Sequence, residues 1–181
     1  MTAGRNVRNL ALIGFMGTGK SSVGRLLAHQ LRYEFVDTDD LLEARAGKPI
    51  ARIFAEEGEE TFRRLERELV GEMAAWKSHI IATGGGLAAE AANLESLKMH
   101  ALVVCLWATP EAIWQRVKHQ THRPLLQDPD PMSRIRTLLE RRTPIYRQAD
   151  VLINTDLRSV KDVAQQVLHQ FQDARGGRPE S

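Results

Sequence analysis

The run Gly14-Phe15-Met16-Gly17-Thr18-Gly19-Lys20-Ser21 has the spacing G-x-x-x-x-G-K-S. Glycines let a backbone wrap tightly and turn its N–H groups inward onto anionic oxygens. A helix opening at Lys20 adds its positive N-terminal end. The lysine can reach the β- and γ-phosphates of a nucleotide, and the Ser21 hydroxyl can ligate Mg²⁺. Nucleotide phosphate binding is therefore the first expectation. No Asn-Lys-x-Asp base-reading motif accompanies the loop, since Asn154-Thr155-Asp156 lacks the lysine. The chain is also too short for motor or transporter machinery, which leaves a small kinase as the class.

A kinase needs an acceptor site beside its phosphate loop. Asp37-Thr38-Asp39-Asp40 follows a short apolar stretch. Two carboxylates two residues apart on an extended turn can point to one side. One can hold Mg²⁺ through water, and the other can accept a hydrogen bond from an acceptor hydroxyl and orient it for attack. Aspartates in such a place equally suit a helix N-cap, but beside a phosphate loop the functional reading is favoured. Thr83-Gly84-Gly85-Gly86 ends a second apolar stretch. It reads either as a flexible turn or as a backbone shelf for a substrate. Thr83 stands where a magnesium-binding Asp is usual, which shifts metal binding towards Ser21 and Asp37. Arg63, Arg123 and Arg142 carry the planar fork that suits carboxylate and phosphate, although a single arginine is more often a solvated surface charge.

Alternating elements must hold these residues in place. Strands are predicted over residues 7–13, 34–37, 79–83, 101–107 and 151–153. Helices are predicted over 20–31, over 40–57 as two pieces broken at Gly47-Lys48-Pro49, over 59–76, from Pro110 to about 119, and over 133–146. A last helix follows Ser159, which forms a capping box with Asp162. The long 59–76 helix carries Phe62, Leu65, Leu69, Val70 and Met73 at helical spacing. Residues 120–132 carry three prolines and read as a loop, and the tail from Asp173 reads as frayed. Such β/α alternation implies an α/β fold with a parallel sheet covered on both faces.

The bulk composition fits one soluble domain. At 181 residues the chain has enough length for a real core. Lys and Arg exceed Asp and Glu by only two charges, so a nucleic-acid partner is not expected. The positive residues cluster locally, however. Arg116, Lys118, Arg123, Arg134, Arg136, Arg141, Arg142 and Arg147 face only Asp128, Asp130 and Glu140 over one stretch. The lone cysteine, Cys105, excludes an internal disulfide and suits a reducing, cytoplasmic setting. The longest apolar run, residues 101–108, is far below the ~20 residues that span a bilayer, so no membrane association is expected. No exposed apolar stripe demands a dimer, and a monomer is expected.

Taken together, the motifs resemble the shikimate kinase family of the nucleoside-monophosphate-kinase-like group. The residues that carry the resemblance are GFMGTGKS at 14–21, Asp37-Thr38-Asp39, Phe62-Arg63-Arg64-Leu65-Glu66, Gly84 to Gly86, RPLL at 123–126, and Arg142 before Thr143-Pro144-Ile145-Tyr146. The resemblance implies a three-layer P-loop kinase fold with a five-stranded parallel sheet in the order 2-3-1-4-5. It implies a single domain over 1–172, with substrate-binding helices over about 38–76 and a mobile lid over about 119–133; the composition of 173–181 is read as a flexible tail outside that resemblance. The implied reaction is transfer of the γ-phosphate of ATP to the 3-hydroxyl of shikimate. By resemblance, ATP is held by Gly17, Thr18, Gly19, Lys20, Ser21, Ser22, Arg116 and Arg123, with Arg116 over the adenine and Arg123 in the lid. Mg²⁺ is held by Ser21 and, through water, Asp37. Shikimate meets Asp39, Arg63, Gly84, Gly85, Gly86 and Arg142, with Phe54 and Phe62 as an apolar wall. Asp39, Lys20 and Arg123 are the implied catalytic residues. The competing expectations are a gluconate or nucleotide kinase and, in another class, a non-enzymatic nucleotide-binding regulator.

Overall fold

The computed structural model describes residues 5–120 and 128–176. Arg123 and the centre of the expected lid lie outside the described residues, as does the last stretch of the expected tail.

Five parallel strands form one sheet: β1 (Asn9–Ile13), β2 (Glu34–Asp37), β3 (His79–Ala82), β4 (Ala101–Trp107) and β5 (Val151–Asn154), in the order β2-β3-β1-β4-β5. The central strands β1 and β4 are almost wholly buried, as their continuous apolar runs require of a strand covered on both faces. Side chains alternate between two cores. Leu10 and Leu12 join Ile80, Val104 and Ile153 beneath α1 (Lys20–Leu31) and α7 (Val160–Gly176). Ala11 and Ile13 join Ile81, Val103 and Cys105 beneath α3 (Ile50–Met73), α4 (Ala91–His100), α5 (Pro110–Val117) and α6 (Pro131–Tyr146). Because all strands run the same way, every strand's C-terminal end opens at one edge of the sheet. That edge is where an open α/β sheet binds ligands.

Several local differences from the sequence expectation have plain causes. The helix α2 (Thr38–Ala46) begins directly after β2. Asp39 therefore sits in its first turn and not on an extended turn, and Asp37 caps it by accepting the Asp39 N–H at 3.1 Å. The break at Gly47-Lys48-Pro49 is present, but the piece from Ile50 continues into the long helix through a kink at Gly58. Gly58 alone inside α3 has non-helical angles, φ 84° and ψ 166°. A short 3-10 turn (Leu87–Ala89) and α4 fill residues 87–100, which the sequence reading leaves unassigned. The apolar pattern of α4 is thin because two of its buried positions are the polar Asn93 and His100. In α6, Pro131 takes the first turn behind an Asp130 cap, so the helix starts before Ser133. The final helix runs to Gly176, past Asp173, where the tail is expected to begin.

At the opposite edge of the sheet a polar network ties the strand starts together. Buried Asn9 donates to the Trp76 carbonyl at 2.8 Å, shares a 3.0 Å bond with His100 Nδ1, and accepts from the His79 N–H at 3.1 Å. Arg5 forks onto Asp150 at 2.6 and 3.1 Å. No helix among the described residues is long and apolar enough to cross a membrane.

Candidate active site

The phosphate loop is shaped by backbone requirements. Gly14 has φ 133°, and a Cβ there would collide with the Leu106 carbonyl. Gly19 is left-handed and precedes α1 without a side-chain cap. The first-turn N–H groups of α1 are thus left for an anion. Thr18, buried, donates its hydroxyl to the Phe15 carbonyl at 2.8 Å, and Lys20 Nζ donates to the same carbonyl at 2.8 Å. Ser22 is exposed on the outer side of α1.

Ser21 joins this loop to β2. Its hydroxyl donates to Asp37 Oδ2 at 2.7 Å, while Asp37 Oδ1 caps α2. Helix capping and a role beside the phosphate loop are therefore both carried by Asp37, one on each oxygen. Arg116 reaches from α5 to the Gly17 carbonyl at 3.1 Å and to Thr155 Oγ1 and carbonyl at 2.9 and 2.6 Å. It fastens the phosphate loop to the segment just past β5, a link that the adenine expectation does not contain.

Residues 84–86 are the hub of the side expected to take the acceptor. The Gly84 N–H donates to the buried Thr38 hydroxyl at 2.7 Å, which registers the end of β3 against the start of α2. A Cβ on Gly84 would overlap the Asp39 carboxylate. The Gly85 carbonyl accepts from Arg142 Nη1 and from the Tyr146 hydroxyl, both at 2.8 Å. Beside Gly86 lies the guanidinium of Arg63, 2.5 Å from where a Cβ would stand. Three consecutive glycines thus each face one of Asp39, Arg142 and Arg63, side chains that come from three different helices.

The arginines are held from behind. Arg63 bonds Glu66 at 2.6 Å and Glu59 at 3.1 Å, and Glu66 is buried. Burial works against the Arg63 charge, but the bonds to Glu66 and Glu59 outweigh it and hold the guanidinium above the ordinary arginine range. Burial pushes the Glu66 carboxyl up, and the bond to Arg63 opposes that rise. Arg142 lies over the Phe15 ring at 5.5 Å. Phe54 and Phe62 pack at 4.8 Å between centroids, and Arg63 stands 5.7 Å from the Phe62 ring. By contrast Arg134, Arg136, Arg141 and Arg147 are exposed, and Arg136 pairs with Glu111. The local excess of positive charge is therefore only partly directed at the site.

The structure brings Lys20, Ser21 and Asp37 together on one side, and Asp39, Arg63, Arg142 and residues 84–86 on the other. Thr38, Thr155 and Tyr146 are added by the structure. Thr38 lies inside a motif whose flanking carboxylates draw the attention. Tyr146 stands one helical turn after Arg142, a spacing visible in the sequence.

The sequence profile of the shikimate kinase family matches residues 16–172. The chain belongs to the shikimate kinase family. A shikimate kinase of Symbiobacterium thermophilum is 48% identical over 173 residues, covering 94% of this chain and 99% of its own length. The solved shikimate kinase from Acinetobacter baumannii in complex with shikimate superimposes with a TM-score of 0.87 at 39% identity, covering 94% of this chain and 96% of that one. The strand order β2-β3-β1-β4-β5 is the one the family resemblance implies. A gluconokinase from Sinorhizobium meliloti has a TM-score of 0.65 at 17% identity over 95% of each chain, and shares the fold alone. Membership makes the chain an ATP-using phosphotransferase, not a non-enzymatic regulator.

Proposed function

We propose that the chain transfers the γ-phosphate of ATP to the 3-hydroxyl of shikimate. The observation that carries this reading is the glycine hub beside the phosphate loop. Shikimate is a small ring with one carboxylate and three hydroxyls. Such a ligand needs a cationic fork at one end, a carboxylate for its hydroxyls at the other, and no side chain between them. Arg63 and Arg142 supply the fork, Asp39 the hydroxyl acceptor, and residues 84–86 the bare surface.

Phosphoryl transfer asks for positioning and charge neutralisation more than covalent chemistry. Asp39 orients the acceptor hydroxyl and takes its proton as the new O–P bond forms. The bond from the γ-phosphorus to the bridging oxygen breaks, and ADP leaves. Lys20 and the N-terminal amides of α1 offset the charge on the phosphates. The donor set at Ser21 and Asp37 suits Mg²⁺, which prefers hard oxygens and keeps several waters. The Ser21 proton is already committed to Asp37, so the hydroxyl oxygen retains a lone pair for a metal. Mg²⁺ bound there would supply charge neutralisation at the β- and γ-phosphates.

A coupled ADP-release assay across shikimate, gluconate and nucleoside monophosphates tests the reading. Turnover is expected with shikimate alone. Turnover with another acceptor and none with shikimate would overturn it.

A further inference from the structure

Residues 84–86 have no side chains by which packing could fix them, and glycine resists backbone rotation less than any other residue. Their geometry must be set by hydrogen bonds to the backbone. Thr38 holds the Gly84 N–H, and the Gly85 carbonyl has both lone pairs taken, one by Arg142 and one by Tyr146. Arg142 and Tyr146 are four residues apart on α6, so they lie on the same face, one turn apart. Tyr146 is 5% exposed, and its ring is packed in the core under the sheet. Its hydroxyl is pushed up to about 12 by burial, against the pull of the Arg142 charge, and so stays a donor at any working pH.

We propose that Tyr146 is a positioning residue for the carboxylate end of the acceptor site. Its hydroxyl fixes the Gly85 carbonyl, and that carbonyl fixes the Arg142 guanidinium. The effect is transmitted to substrate through Arg142 and does not involve the phosphate loop. This rests on the reading of Arg142 as a ligand of the shikimate carboxylate.

Tyr146→Phe keeps the ring and removes only the donor. KM for shikimate is expected to rise about 3- to 10-fold, as for loss of one buried hydrogen bond. KM for ATP should stay within about twofold, and Tm should fall by a few degrees at most. The preference for shikimate over its methyl ester, which lacks the negative charge, should shrink by a similar factor. In an Arg142→Ala background the Tyr146→Phe effect on shikimate should vanish, because the group it positions is gone. An unchanged shikimate KM in Tyr146→Phe, or equal losses for shikimate and ATP, would overturn the inference. Arg142→Ala separates the two readings. If it raises shikimate KM while Tyr146→Phe does not, only the role of Tyr146 fails. If it leaves shikimate KM unmoved, the carboxylate clamp itself fails.

Discussion

Between residues 14 and 21 the chain makes an anion site out of its own contiguous backbone. At residues 84–86 the proposed acceptor site is a bare backbone met by three side chains that arrive from α2, α3 and α6. The first needs one strand, one turn and one helix to be right. The second needs the whole helical layer over that face of the sheet to be right. A phosphate is bound through repeated N–H groups, so a local loop suffices. A ring with different groups at each end needs functional groups set apart in space, and no short loop can supply them. Cross-ties between the halves include Ser21 to Asp37 on one flank and Arg142 over Phe15 on the other.

The comparison is broken most directly at Asp39. Asp39→Asn should lower kcat by about 10³-fold, the range for loss of a general base, while ATP affinity measured by titration is retained. Loss of ATP binding in that variant would mean the halves are not separable.

Two glycine variants sharpen it next. Gly84→Ala drives a Cβ into the Asp39 carboxylate, and a displacement of this kind should cost about 10²-fold in kcat/KM for shikimate with little change in KM for ATP. Gly14→Ala drives a Cβ into the Leu106 carbonyl at a backbone angle alanine resists, so both substrates and Tm should suffer together. Matching profiles for the two variants would contradict the division into a local and an assembled half.

Arg142→Ala should raise KM for shikimate about 10- to 100-fold, the scale for losing a charged hydrogen-bond partner, with a much smaller change for ATP. Steady-state kinetics with each substrate varied in turn would check this.

The smallest expected effect lies at the far edge of the sheet. Burial, then the charges of Arg8 and Arg5, hold His100 below the ordinary histidine range. As pH falls below about 6.5 the unfolded chain takes up a proton that the folded chain refuses. The contribution of neutral His100 is thus present above that pH and lost below it. The Tm advantage of the parent chain over His100→Gln should narrow between pH 7.5 and 5.5, while KM for both substrates measured at pH 7.5 is unaffected. A Tm difference that ignores pH would show that His100 is not buried in the neutral form.

Much of this was legible from residues alone, for identifiable reasons. Lys20–Leu31, Glu34–Asp37 and Ala101–Trp107 match their predicted bounds because each is marked by local signals. Lys20 opens a helix directly after the glycine-rich loop, with Gly19 at its N-cap, and β4 is an unbroken apolar run. The α4 helix was not legible, because His100 and Asn93 fill core positions with polar groups whose partners are Asn9 and the Leu87 carbonyl. The merger at Gly58 was also hidden, since one non-helical residue does not stop the chain when both flanks pack on the same sheet face.

The sequence by itself determined that the chain binds nucleotide phosphate and that its elements alternate. Those properties depend on neighbours within a few residues, where backbone sterics and side-chain periodicity act directly. Only the tertiary structure decided that Asp39, Arg142 and Arg63 each face a successive glycine, that Glu66 stands behind Arg63, and that Tyr146 shares a carbonyl with Arg142. Those contacts join positions tens of residues apart. They exist because the order of strands in the sheet brings the ends of β1, β2 and β3 to one edge, a choice made by packing of the whole and not by any segment.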